Sequence, residues 1–191
     1  MRTAFTLLLT FLLTACVESE HPLSAFTPLA ANHPLIGTWT QRNDKETVYL
    51  HVGNQEKTLH LLEVEIDHQG TLKSEHYEAI STSLESGDYL SVLQRSEGKT
   101  TYQIWKYRVS SQGALTFWSP SARFIEDAIK KGWIAGTVQS GSGISNVLLT
   151  ADPPSLQRFI ARHDAEIFLE PTTDLVRFNP PPVPKESASP R

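Results

Sequence analysis

The chain has 191 residues, of which 39% are apolar and 20% charged, with a formal net charge of −4. These values describe a folded domain with a sizeable core and exclude a disordered chain or one built of membrane-spanning helices. No run of Lys or Arg stands out, so nucleic acid is not an expected partner.

Met1-Arg2-Thr3 opens the chain with one positive charge, and Ala4 to Leu13 is apolar apart from Thr6 and Thr10. The stretch is too short to span a bilayer and reads as a secretory leader, residues 1–15. Leu13-Thr14-Ala15-Cys16 resembles the bacterial lipobox, and this implies that Cys16 is acylated, with palmitate-type chains, after cleavage. Val17 rather than Asp follows, which by the same resemblance implies the outer membrane, facing the periplasm. Cys16 is the sole cysteine, so its lipidation leaves no disulfide, thiolate metal site or thiol nucleophile. Residues 17–34 carry three Pro and no periodicity, and we read 16–34 as the lipidated Cys and a flexible tether.

The expected domain covers 35–178. Leu35-Ile36-Gly37-Thr38-Trp39 opens it, with Gly37 and Trp39 two apart and hence on one face of a strand. Strands are predicted over 47–52, 59–66, 72–80, 89–94, 101–109 and 114–118, divided by Gly-, Asn- and Asp-containing turns. Ser119-Pro120 predicts a helix N-terminus, with Gly132 as its stop. A hairpin over 133–138 and 144–150 follows. Asp152-Pro153 then starts a second helix, with Leu156, Phe159, Ile160 and His163 on one stripe. A last strand is expected at 175–178, and 179–191 reads as a disordered Pro/Ser-rich tail.

Short connections between successive strands predict a mainly β fold, an antiparallel up-and-down barrel or strongly curved meander with two flanking helices. Gly37-x-Trp39 at the first strand resembles the opening of lipocalins and their calycin-type relatives. The resemblance implies that Arg177 stacks on Trp39. The combination with the lipobox is also similar to a group of bacterial lipoproteins to which no function attaches.

Common catalytic motifs are missing, and the expectation leans toward a protein that is not an enzyme. Tyr49, Tyr102, Trp105 and Tyr107 are candidates to line a site for a small apolar ligand. A filled barrel that binds an envelope protein is the alternative. A third reading pairs His51 with His60 across a turn at Gly53-Asn54, and His60 with Glu78 across the next hairpin. These three would then share an inward row able to hold zinc. Glu63, Glu65, Glu75 and Glu78 alternate along two strands, a pattern read as a solvated face.

Overall fold

The computed structural model describes residues 17–96, 98–141 and 144–179. Cys16 and the leader before it lie outside the described residues, as does the tail from 180 onward. The elements in chain order are β1 (Val17–Ser19), β2 (Gly37–Arg42), β3 (Glu46–Gln55), β4 (Thr58–Asp67), β5 (Leu72–Leu84) and β6 (Gly87–Ser96). After these come β7 (Lys99–Val109), β8 (Ala114–Trp118), α1 (Ala122–Lys130), β9 (Gly136–Gly141), β10 (Ile144–Leu149), α2 (Pro153–Ile167) and β11 (Pro171–Arg177).

Strands β2 to β8 form a continuous antiparallel meander, and β11 returns to pair with both β8 and β2. With β6 also paired to β7, the eight strands close into one antiparallel barrel. Closure removes the open sheet edges that a meander of this length would leave to solvent. Side chains alternate between the two faces, as the pleat requires. Trp39, Val48, Leu50, Val52, Leu59, Leu61, Tyr77, Val92, Trp105, Tyr107, Leu115 and Leu175 point inward and form the barrel core.

Between β8 and β11 the chain leaves the barrel and builds a flap from α1, the β9–β10 hairpin and α2. Strand β1 lies between the flap and the barrel, parallel to β10 and touching β7 where Ser19 faces Tyr102. The flap covers the outer wall of β6 and β7 with a second core that includes Tyr89, Ile104, Ile125, Leu149, Leu156 and Ile160. Helix α1 is capped by Ser121, whose Oγ accepts from the Phe124 N–H at 3.4 Å. The cap thus sits two residues beyond the expected Ser119, because Pro120 precedes the first helical residue by two and stays outside the helix. Helix α2 is capped by Asp152 as its sequence predicts, with Ser155 N–H donating at 2.7 Å.

Residues 17–34 do not form a free tether. Val17 and Leu23 are buried in the second core, and Leu23 N–H donates to Ser91 Oγ at 3.0 Å. Leu29 exchanges two hydrogen bonds with the Asn54 side chain. The apolar residues between the three prolines supply this docking, and so the described body begins at Val17 rather than at residue 35.

Candidate ligand-binding site

The two ends of the barrel differ in chemistry. At the end where β2 begins and β11 ends, Trp39 is fully buried and donates its indole N–H to the Leu35 carbonyl at 2.9 Å. The Arg177 guanidinium carbon lies 4.1 Å from the Trp39 ring centroid. The same guanidinium donates to the carbonyls of Ile36 and Pro34. Gly37 has φ +133, and a Cβ there would collide with the Arg177 guanidinium. Glycine is therefore required twice over, by backbone conformation and by space. With Phe26, Leu29 and Leu35 packed across it, this end is shut.

The opposite end is polar. The register pairs Glu46 with Asp67, Glu63 with Glu75 and Glu65 with Lys73, on the same face as Leu50, Leu61 and Tyr77. Glu46, Glu63, Glu65 and Glu75 thus occupy inward-facing positions near this end. Glu63 is only 5% exposed, and its Oε2 has no hydrogen-bond partner. Burial, then the charge of Glu75, pushes its carboxyl up to about 8. Glu65 is also held above the usual carboxylate range, chiefly by desolvation and the nearby Glu46. Tyr77 donates its hydroxyl to Glu75. Across the barrel, Gln94 Nε2 and Gln103 Oε1 are buried without partners, also on inward positions. Every unpartnered buried side-chain atom among the described residues thus belongs to this lumen.

Of the four aromatic candidates, Trp105 and Tyr107 point into the barrel, where Tyr107 Oη meets Ser81 Oγ at 2.9 Å. Burial pushes the Tyr107 hydroxyl up to about 12. Tyr49 and Tyr102 face outward, Tyr49 against Phe178 with ring centroids 5.4 Å apart. Tyr102 lies under the flap, beside Ile104, Ile125 and Leu149.

The row of His51, His60 and Glu78 is also outward-facing. Strand β3 runs on through Gly53-Asn54 and turns at Glu56, which takes φ +48. His51 consequently faces Leu62, and Gly53 faces His60, a shift of two residues from the expected register. The second expected pair, His60 with Glu78, is found. An even shift keeps the three on one face, but it is the face of Leu62, which is 43% exposed. His60 Nδ1 instead contacts His76 Nε2 at 2.6 Å, Glu78 pairs with Arg95, and His51 Nδ1 meets Thr38 Oγ1 at 2.9 Å. Among the described residues no three His, Cys, Asp or Glu converge on one metal position.

A concavity of about 890 Å³ opens between α2 and the segment after α1. Arg158, Arg162 and His21 line it, together with Trp133, whose ring stacks on His163 at 5.4 Å between centroids.

No family model, curated protein or solved structure matches the chain. The architecture itself, a closed eight-stranded antiparallel barrel with two short helices, is consistent with a lipocalin-like fold.

Proposed function

We propose that this is a lipid-anchored protein of the bacterial cell envelope whose barrel takes up a small ligand through the end opposite Trp39. The observation that carries the reading is the lumen itself. It is apolar along Leu50, Leu61, Val92 and Trp105, yet its polar end holds buried polar atoms with no partner in the protein. Such atoms are costly unless something bonds to them, and ligand sites characteristically set a few polar groups into an apolar lining. The proposed role is binding rather than catalysis, and the anchor is a lipid on Cys16. The test is extraction of protein purified from its own membranes, followed by mass spectrometry. A small molecule recovered in stoichiometric amount supports the reading. An extract empty of any such molecule, together with unchanged Trp fluorescence across a panel of apolar probes, would sink it.

The exterior supports a second reading, in which a protein of the envelope docks on the barrel wall. Leu72 is 61% exposed and Val176 is 57% exposed, and Leu62 and Phe178 are also in contact with solvent. They lie on the outer face of β4, β5 and β11 or just after it, and a contiguous apolar patch there would serve as a docking surface.

A further inference from the structure

The polar end of the barrel is rich in carboxylates. Glu46 from β3, Glu63 and Glu65 from β4 and Glu75 from β5 face one another across adjacent strands. Lys73, opposite Glu65, offsets one of them. Glu63 raises the question most sharply, because it is buried with one oxygen unpartnered while three other carboxylates push on it. Like charges gathered in a desolvated site destabilise the protein unless a proton or a cation joins them. Gln103, 4% exposed, adds a second buried acceptor oxygen without a partner, on the wall formed by β7. Glu63 and Gln103 are acceptors from different strands and call for more than one donor, while Gln94 Nε2 on β6 is an unpartnered donor that calls for one acceptor.

A bare metal ion does not meet this description, since no three ligating side chains among the described residues converge on one position. An ammonium group does, because its three N–H bonds point in separate directions and tolerate spread-out acceptors. The lumen beneath is apolar, so the ligand's remainder is apolar as well. We propose that the barrel takes an amphiphilic amine, its ammonium held by Glu63 and Glu75 and its apolar body lying along Leu61, Val92 and Trp105. This rests on the ligand-binding reading above and specifies the chemistry of that ligand.

Proton linkage supplies a readout that mere hydrophobic uptake does not move. Near neutral pH the free protein holds a proton on Glu63, favoured by burial and by Glu75, Glu65 and Glu46 around it. Tyr77 also faces this site and stays protonated well above that range, and Asp67, Lys73 and Lys99 occupy further inward positions at the same end. An arriving ammonium favours the ionised carboxylate, and the displaced proton leaves to the buffer.

The test is calorimetric titration of the folded protein at pH 7 with octylamine, octanol and octanoate, in phosphate and in HEPES. Octylamine is expected to bind at least about tenfold tighter than octanol, a difference of one strong charge-assisted contact. The buffer dependence should report release of about one proton per octylamine bound and none for octanol. Glu63→Gln should abolish the proton release and remove the preference for the amine. Glu75→Gln, at the exposed rim where folding is not at stake, should reduce the preference several-fold. Equal affinity for octylamine and octanol, or a preference for octanoate, overturns the amine proposal and leaves the barrel a binder of neutral or acidic ligands. Failure of all three to bind overturns the amine proposal and the ligand-binding reading together.

Discussion

At the scale of single residues, Trp39 and Glu63 share a barrel lumen and have opposite effects on stability. Trp39 fills the shut end, and its polar atom is satisfied by Leu35. Trp39→Ala should therefore cost about 3–5 kcal/mol, read as a shift of the urea midpoint. Gly37→Ala should also destabilise, since it strains the backbone and displaces Arg177 from its carbonyl partners. Glu63 is raised from its ordinary 4.5 to about 8, so the native state keeps a proton that the unfolded chain loses between those values. Stability must then fall as pH rises through that window and level off above it, at about 1.4 kcal/mol per unit of displacement. Thermal melts from pH 5 to pH 9 should show this decline, and Glu63→Gln should flatten it. An unchanged slope in the variant would place the titrating group elsewhere. The Gly37–Trp39 spacing is legible in the sequence because a two-residue period fixes a shared face. Glu63 is not legible, because β4 carries apolar residues on both faces. Leu59 and Leu61 point in and Leu62, Val64 and Ile66 point out, and the second set is the longer run. Only the closed barrel decides between them.

At the scale of elements, the flap is fastened to the barrel by few polar contacts. Asp164 on α2 is the main one: it accepts from Tyr89 Oη at 2.6 Å and pairs with Lys106, both on the barrel's outer wall. All three groups are largely shielded from water, and burial raises the Tyr89 hydroxyl well above its ordinary value. Removing the charge leaves Lys106 without its carboxylate in a place where solvent compensates poorly. Asp164→Asn should lower stability by about 1–3 kcal/mol. It should also speed amide hydrogen exchange in α2 more than in the barrel strands. Equal acceleration in both would mean that flap and barrel open as one unit. Both helices and the intervening hairpin are legible from turn residues and periodicity, although the α1 cap falls at Ser121 rather than Ser119 and β9 spans Gly136–Gly141 rather than 133–138. The docking of 17–34 is not, because a Pro-containing stretch without a period looks alike whether it is free or bound. Its anchors, Leu23 and Leu29, are single apolar residues whose partners lie far away in sequence. The β3–β4 register is missed for a related reason, since Gly53-Asn54 carries strong turn chemistry yet lies within a strand. Pairing along the full length of β3 outweighs the local preference, and the turn falls at Glu56-Lys57 instead.

For the whole molecule, the described chain closes on itself with little slack between its first described residue and the barrel. Val17 is already seated beside Val147 in β1, and Ser19 touches β7 two residues later. If Cys16 carries acyl chains, the barrel rests against the membrane surface in a fixed attitude, not on a swinging tether. Each buried CH₂ contributes about 0.8 kcal/mol, so two or more chains hold the protein far more firmly than protein–lipid contacts of the body. Among the described residues no helix is long and apolar enough to cross a membrane. Cys16→Ser should accordingly move the protein from the membrane fraction to the soluble fraction of the envelope, without altering its melting temperature. Fractionation followed by a melt of the released protein checks both halves. Membrane association equal to that of the unsubstituted chain would rule out the lipid as anchor. A second variant tests the absence of slack: inserting ten Gly/Ser residues between Cys16 and Val17 should leave the protein membrane-bound. The insertion gives the body a span of roughly 15–20 Å, and residues near β1 that are protected from a bulky water-soluble label in the native chain should become reactive. Labelling that is the same with and without the insertion would show that the body already stands clear of the bilayer, despite the burial of Val17.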